Sequence, residues 1–493
     1  MTTAILSLDI GTSHSTAVLF DLAGRELAAA EQAHRLHTPQ PGWVELAPDE
    51  IWGALIEAVK AVCLGQASGV DILAVALSTQ GGSLIPMGAD GRPTYNAITW
   101  LDRRSESVVA RWRQDGLDQH IRQISGWEPQ PGLPLPSICA LRQSQPAIFS
   151  ATRRFLSVND YVVYRLTGRF VTNPSMAGEM LLTDIRTGQW ERELCGLAGI
   201  EAGQLSPILP SEAVCGEIAP EVCRQTGLPK GTLLVNGGQD HSCEALALGM
   251  VLPGNYWLAC GTAWVINGVT DSPRVDAVPA EMALNHHVVP QRWIASQFLG
   301  GLGAGMEWWL DQFWQSPPSE KQIPKSQRYA SFNAALKQTQ PGSSGLLFYP
   351  VSGRPGSGAA SGGYWGLRLD HTRADMGRAV MEGAAHEVRW AVDAWRVRNF
   401  GLPVEKLWMV GGAARSPLWP QIVADVVGIP MTLAQYSHGP ALGAALLAAR
   451  GLGWLKEFPV WVTAQPVEPN LANAPLYEER HAAYRQMVER YRP

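Results

Sequence analysis

A carboxylate at the end of a short apolar strand, just before a turn of small residues, constrains this chain more than any other feature. Ile5-Leu6-Ser7-Leu8 reads as a strand, Asp9-Ile10-Gly11-Thr12-Ser13 as the turn, and Ala17-Val18-Leu19-Phe20 as a second strand closing at Asp21. Two β-type runs around a Gly/Thr/Ser turn predict a hairpin. Backbone amides in such a turn form an anion-binding nest, and a nearby carboxylate can hold a metal ion directly or through its waters. The combination suggests a clip for the phosphates of a magnesium-bound nucleotide, while a plain hairpin would carry the same residues.

The remaining chain supplies partners for such a clip. Its 493 residues exceed one compact core; a prior of about 150 residues per domain gives about three domains, and two large α/β domains fit equally. A net charge of −5 leaves no basic footprint for nucleic acid or anionic lipid. The seven cysteines, at 63, 139, 195, 215, 223, 243 and 260, form no C-x-x-C, which points to buried thiols in a reduced, cytoplasmic setting. No signal peptide is expected, because the N-terminus lacks a basic segment and Asp9 interrupts its apolar run. No run approaches the ~20 apolar residues of a membrane span. The 19 tryptophans are expected mostly in core or interdomain contacts, with a Trp-lined sugar cleft as the alternative.

Further along, Ile51 to Leu64 has helical spacing, and Ile72 to Leu77 reads as a buried strand running into Ser78-Thr79-Gln80-Gly81-Gly82, a loop suited to ligands. Ala89-Asp90-Gly91-Arg92 signals a hairpin turn and Pro129 to Pro136 a loop. Leu233 to Asp240 is a strand ending in Gly237-Gly238-Gln239-Asp240, where Asp240 can equally serve as a helix N-cap. The opening pattern then returns: strand Asn255 to Ala259, turn Cys260-Gly261-Thr262, strand Ala263 to Ile266. This weak internal repeat predicts two related domains facing each other.

Gly342 to Gly363 reads as a mobile loop, and Thr372-Arg373-Ala374-Asp375 as a capping box opening a long helix with the stripe Met376, Val380, Ala384, Val388, Val392. Lys406 to Val410 is a strand followed by Gly411-Gly412-Ala413-Ala414-Arg415-Ser416. There Ser416 is the expected N-cap and Pro417 the first helical residue. Strand, glycines and a capped helix suit a nucleotide, because bare backbone and a helix N-terminus can both approach it. Glycine pairs also end strands without binding anything, so each motif alone has a purely structural reading.

Taken together and in this order, the segments resemble the FGGY family of carbohydrate kinases, with a xylulokinase-like member as the first expectation. Asp9-Ile10-Gly11-Thr12-Ser13 resembles the family's first phosphate motif, Trp100-Leu101-Asp102-Arg103-Arg104 its W-x-D-x-R segment, and Asp160-Tyr161 with Arg165-Leu166-Thr167-Gly168 its D-Y-x3-R-L-T-G run. Gly237-Gly238-Gln239-Asp240 resembles the segment carrying the catalytic base, and Gly261-Thr262 the second phosphate motif. Gly366-Leu367, His371-Thr372 and Arg378 to Gly383 resemble the C-terminal signature, and Gly411 to Ser416 the adenosine motif. The resemblance implies an α/β fold of two actin-like (ribonuclease H-like) ATPase domains with an interdomain cleft, divided here as 1–245 and 246–493.

It also implies chemistry. Asp240 would be the general base toward a sugar hydroxyl, and Asp9 would hold Mg2+ through water. Gly11, Thr12, Ser13, Gly261 and Thr262 would meet the phosphates of ATP, and Gly411, Gly412, Ala413 and Ser416 its adenosine. Gln80, Gly81, Trp100, Asp102 and Asp240 would contact the sugar, a ketopentose, D-xylulose first and D-ribulose next. A polyol or aldonate (glycerol, erythritol, gluconate) is the alternative acceptor, and a non-catalytic sugar- or nucleotide-binding regulator of the same fold is the alternative class. A chaperone ATPase is disfavoured by the D-Y…R-L-T-G and W-x-D-x-R segments. The implied partners are a small-molecule sugar and ATP, with neither nucleic acid nor membrane; a homodimer is left open.

Two positions depart from the family pattern. Members usually carry Lys or Arg four residues after the first motif's Thr, where this chain has Thr16; His14, Arg103 and Arg104 are the candidate substitutes. Xylulokinases typically place a His where Gly81 stands, and glycerol kinases an Arg-Glu pair where this chain has Gln80-Gly81. Competing motifs come up short. There is no G-x-x-x-x-G-K-[ST] and no G-x-S-x-G; Gly356 to Ser361 approaches G-x-G-x-x-G without a preceding strand. His286-His287 and the Glu382/His386 pair lack further metal ligands and are expected to be structural.

Overall fold

The computed structural model describes residues 2–65, 69–279, 281–314, 325–350, 362–397 and 403–491. Two mixed sheets organise the chain. The first contains β1 (Thr2–Ile10), β2 (His14–Asp21), β3 (Glu26–Ala33), β4 (Val70–Thr79), β5 (Val214–Glu217) and β6 (Leu233–Gln239), in the order β5-β6-β4-β1-β2-β3. The second contains β7 (Tyr256–Cys260), β8 (Trp264–Thr270), β9 (Met282–His286), β10 (Trp293–Gly300), β11 (Leu407–Val410), β12 (Met431–Gln435) and β13 (Thr463–Val467), in the order β9-β10-β8-β7-β11-β12-β13.

The two sheets repeat one plan. In the first, β1-β2-β3 is an antiparallel meander, β4 and β6 add in parallel, and β5 closes the edge antiparallel. In the second, β7-β8-β10 is the meander, β11 and β12 add in parallel, and β13 closes the edge antiparallel. The repeat expected from two glycine turns thus extends through six strand positions of each sheet. Parallel neighbours need covered faces, and the strands here are apolar on both sides. Ala4, Leu6, Leu8 and Ile10 of β1 enter one core while Ile5 enters another. Tyr256, Leu258 and Cys260 of β7 likewise enter a different core from Trp257 and Ala259.

The shared core between the sheets is helical. Helices α1 (Pro48–Gly65), α2 (Pro134–Ser144), α3 (Pro174–Glu179), α4 (Asp240–Ala247), α5 (Arg373–Val397), α6 (Trp419–Val427) and α7 (Gly439–Gly451) are those that matter for the site. Of these, α4 and α7 pack on each other between the sheets, with α7 also lying along β1, β4 and β6. Ala441, Ala444, Ala445 and Ala448 on α7 allow this approach, and a Cβ on Gly443 would run into the Cys243 carbonyl of α4. The outer face of the first sheet is covered by α1, and α5 lies against the second sheet's other core.

Local expectations fare unevenly. Thr372 and Asp375 form the reciprocal cap, with the Asp375 N–H donating to Thr372 Oγ1 at 3.2 Å and the Thr372 N–H to Asp375 Oδ2 at 2.9 Å. The proline-rich loop ends earlier than expected, because Pro134 starts α2: prolines in a first helical turn forfeit no helix bond. Within Gly342 to Gly363, a 3-10 turn (Ser343–Gly345) and a short strand (Leu347–Tyr349) are ordered by burial of Leu346, Leu347 and Phe348. Residues 351–361, including Gly356 to Ser361, lie outside the described residues. Ser416 does not take the N-cap expected of it: α6 starts at Trp419 with Leu418 at its N-cap, so Pro420 rather than Pro417 occupies the first turn, and Ser416 Oγ accepts from Trp419 N–H at 3.2 Å from two residues further back.

The α4–α7 contact makes a testable contrast. Gly→Ala in an open helix position raises stability by ~0.5–1 kcal/mol, and Gly53 in α1 has nothing near its missing Cβ. Gly53→Ala is expected to raise the urea midpoint, whereas Gly443→Ala is expected to lower it by displacing α4. A Gly443→Ala protein as stable as its parent would mean the helices are not in close contact.

Candidate active site

The residues singled out by sequence gather at the C-terminal ends of the parallel strands of both sheets. In the first sheet these are Asp9 on β1, Ser78 and Thr79 at the end of β4 with Gln80 just after it, and Asp240 after β6. In the second they are Gly261-Thr262 after β7 and Gly411-Gly412 after β11. Ligands of open α/β sheets collect at such ends.

Asp240 is aimed by a bulge. Gly237 sits at φ +75°, where a side chain is strained, and the β6–β4 register slips between Val235 and Gly238. A Cβ on Gly237 would strike the Leu77 carbonyl. The bulge delivers Asp240 as the first residue of α4, and the N-cap role falls to Gln239, whose Oε1 accepts from Ser242 N–H at 3.0 Å. Asp240 Oδ1 accepts from Gln239 Nε2 at 2.6 Å and from His241 N–H at 2.7 Å. Among the described residues, nothing hydrogen-bonds its Oδ2. A carboxylate here gains from the helix dipole.

Asp9 lies opposite Thr16 on one side and Ser78 on the other, and its Oδ1 accepts from Ser78 Oγ at 2.8 Å. Burial, then the Asp240 and Glu244 charges, raise its carboxyl to about 7 against the opposing pull of Ser78 and His241. Glu244, one turn along α4, is raised by burial and accepts from Tyr436 Oη at 2.8 Å, linking α4 to the second sheet's loops.

The first turn is wired to the sugar-side loop. Thr12 Oγ1 donates to Gln80 Oε1 at 2.9 Å, Gln80 Nε2 donates to the Gly11 carbonyl at 3.2 Å, and Trp100 Nε1 donates to Thr12 Oγ1 at 3.0 Å. Gln80 is buried and pins the turn, while Trp100 is 45% exposed. Gly81 stands against Glu179: a Cβ there would overlap the Glu179 carboxylate. The space a residue-81 side chain would take is therefore filled from α3, a residue the sequence reading missed.

Asp102 is a correction. Its Oδ2 accepts from Val44 N–H at 2.7 Å and Arg104 Nη2 at 2.8 Å, and its Oδ1 accepts from Arg104 N–H and Nε at 2.8 and 2.9 Å. With its side chain fully buried, it has no surface to offer a sugar. Arg104, stacked 3.8 Å from the Trp43 ring centroid, also pairs with Glu45 at 2.6 Å. Removing one member of such a buried set leaves an uncompensated charge, so Asp102, Arg104 and Glu45 serve the fold together.

The proposed substitutes for a cation at Thr16 do not face Asp9. Arg104 is consumed as described, Arg103 pairs with Glu106 at 2.8 Å, and His14 Nδ1 meets Ser13 Oγ at 2.8 Å. Thr16 Oγ1 itself donates to Glu31 at 3.4 Å. His241, beside Asp240, is the basic side chain whose charge acts on Asp9 and Glu244.

On the opposite sheet, Gly411 sits at φ +93° with its missing Cβ 2.9 Å from the Cys260 carbonyl, so the two glycine turns abut. Gly261, Thr262, Gly411 and Gly412 are exposed, Ala413 is buried in the core, and Ser416 Oγ is occupied by the Leu418 and Trp419 amides. The exposed backbone of these turns leaves room for a ligand to approach closely. Among the described residues no group of three His, Cys, Asp or Glu side chains could by itself hold a metal ion. Asp9 is a carboxylate of the kind Mg2+ uses, one or two of them beside waters and phosphates. His287 is engaged with the Met250 carbonyl at 3.0 Å, Glu382 with Arg378 at 2.8 Å and His386 with His481 at 3.3 Å, whereas His286 Nε2 is buried without a hydrogen-bond partner among the described residues.

A duplicated ribonuclease H-like sheet with a carboxylate cluster facing glycine turns defines a two-domain α/β kinase of the sugar kinase and actin type. The chain belongs to the FGGY family of carbohydrate kinases, whose N-terminal domain model matches residues 4–247 and whose C-terminal domain model matches residues 257–452. It is 26% identical over 491 residues to a xylulose kinase of Staphylococcus epidermidis, covering 97% of this chain and 95% of that one. It is 25% identical over 492 residues to a gluconokinase of Bacillus licheniformis, covering 99% and 94%. A ligand-bound xylulose kinase structure from Lactobacillus acidophilus superposes with a TM-score of 0.90 at 23% identity, covering 99% of this chain and 98% of that one, and shares the fold. No helix among the described residues is long and apolar enough to cross a membrane.

The carboxylate cluster predicts a pH trend. A carboxyl with a raised folded-state pKa binds its proton more tightly than in the unfolded chain, so its stabilisation is lost as pH rises through that value. Asp9 is raised to about 7 and Glu179 to about 8, whereas the depressed His287 and His481 act only below their ordinary 6.5. Thermal melts of the ligand-free protein are expected to fall from about pH 6.5 to about pH 8.5, with Asp9→Asn flattening the slope. A rising or unchanged slope in the variant would contradict the cluster.

Proposed function

We propose that this sugar kinase transfers the γ-phosphoryl group of ATP to a terminal hydroxyl of a ketopentose, D-xylulose first and D-ribulose next, with Asp240 as general base. The observation that carries the reading is the carboxylate of Asp240, delivered by the Gly237 bulge to the end of β6 with Oδ2 unengaged among the described residues, beside Asp9. The sugar oxygen forms a bond to the γ-phosphorus as the bond to the β,γ-bridging oxygen breaks. The proton of the attacking hydroxyl passes to Asp240, and the electron pair leaves on ADP. Positioning and electrostatics carry most of such a transfer.

Gly11, Thr12 and Ser13 on one side, and Gly261 and Thr262 on the other, offer backbone and hydroxyl donors to the phosphates. Gly411 and Gly412 offer bare backbone to the adenosine, with Ala413 and Ser416 supporting their turn from behind. Asp9 is the residue to hold Mg2+ through water; when bound, the ion neutralises phosphate charge and the crowding of Asp9 with Asp240. Trp100 and Gly81 line the acceptor side, and Gln80 orders it. The domain division 1–245 and 246–493 falls inside the last turn of α4, which belongs to the shared helical layer. The seven free cysteines support a reducing, cytoplasmic setting; a homodimer is an assembly that sedimentation would decide.

Asp240→Asn is expected to lower turnover with D-xylulose by ~10²–10⁴-fold while ATP and sugar still bind by calorimetry. A parent protein that forms no ADP with any pentulose, polyol or aldonate, and is matched by its variant, would leave the non-catalytic regulator as the reading.

A further inference from the structure

We propose that the acceptor pocket selects uncharged sugars, ketoses or polyols, and that Glu179 is the residue that turns sugar acids away. The inference rests on the reading of Asp240 as the base and names the substrate class of that same site.

Glu179 ends α3 and is 8% exposed. Its carboxylate lies on Gly81, one residue beyond the Gln80 that binds Thr12 and thereby Trp100. It is held there firmly. Asn173 caps α3 by accepting from Met176 N–H at 3.1 Å, and Asn285 Nδ2 donates to the Ser175 carbonyl at 2.9 Å. A Cβ on Gly178 would strike the Asn285 amide, so the penultimate residue of the helix is seated without slack. Most tellingly, Gln239 N–H donates to Ser175 Oγ at 3.0 Å, which fastens the helix carrying Glu179 to the strand delivering Asp240.

This placement leaves a buried carboxyl with unused capacity. Among the described residues, none donates a hydrogen bond to it and the one charge acting on it is that of Asp240. Burial and that like charge push the Glu179 carboxyl up; as a carboxylate it accepts from a sugar hydroxyl and repels an anion, and when protonated it can also donate to a hydroxyl. Its oxygens are not sealed from solvent, and a sugar hydroxyl entering there can bond to them in either sense. An aldonate carboxylate would instead bring another negative charge into a poorly solvated pocket already holding Asp240, with no described cation paired to Glu179 to receive it. The relatives divide on this chemistry, some named for xylulose and others for gluconate.

The test pairs kinetics with binding. kcat/KM is measured for D-xylulose, D-ribulose, glycerol and D-gluconate with the parent and with Glu179→Gln, which keeps the shape and removes the acid. Calorimetry measures D-xylulose and D-gluconate binding to both proteins without turnover. The parent is expected to favour its best neutral acceptor over D-gluconate on the order of 100-fold in kcat/KM, and Glu179→Gln to narrow that ratio by about tenfold, chiefly through D-gluconate. Glu179→Gln should melt near the parent, which separates selection from folding. A parent that prefers D-gluconate, or a ratio untouched by Glu179→Gln, overturns the proposal while leaving the kinase reading standing. If no acceptor is phosphorylated, the kinase reading fails and calorimetry decides selection alone: preferential D-xylulose binding lost in Glu179→Gln supports it, and equal or absent binding overturns it.

Discussion

Like charges crowded at one end of a sheet are the constraint on which the rest of this structure depends. Asp9, Asp240, Glu179 and Glu244 lie close enough that burial and mutual repulsion together raise three of them. A protein tolerates such a cluster where a ligand relieves it. Magnesium-bound phosphate and a hydroxyl-bearing acceptor are the two partners whose charge and hydrogen-bonding complement this one. The cluster is held against its own repulsion by Ser78 on Asp9, Gln239 and the start of α4 on Asp240, and Tyr436 on Glu244.

That support is mechanical as well as electrostatic. The helical layer between the sheets places α4, which begins with Asp240, directly on α7 of the second half. The close approach at Gly443 and the Tyr436–Glu244 bond couple the helix that begins with Asp240 to the second half. Domain closure in kinases excludes water that would otherwise take the phosphoryl group. The same elements that join the halves also fix the acid cluster between them.

Much of this was legible in the sequence wherever the signal was local. Strands ending in glycines, the Thr372–Asp375 cap and the echo of the Asp9 hairpin at Gly261 are written in neighbouring residues. The duplication of the whole sheet plan was only hinted at, because strand order depends on pairings far apart in the chain. Long-range partners also decide the misreadings. Asp102 looks like a free acid until Arg104, Glu45 and the Val44 amide are brought around it. Glu179 sits in an apolar stretch, Ser175-Met176-Ala177-Gly178-Glu179-Met180, and nothing nearby in sequence announces Gly81 as its neighbour. Position 81 itself shows why a single-residue comparison misleads: the missing side chain is compensated in space by another element.

The central claim is that this carboxylate cluster directs the γ-phosphoryl group to a sugar and away from water. Phosphorus NMR of a reaction containing ATP, Mg2+ and D-xylulose measures this directly, by comparing the phosphomonoester formed with the ADP formed. The account predicts one phosphomonoester for each ADP and little inorganic phosphate. ADP matched instead by inorganic phosphate, whatever sugar is supplied, would contradict it.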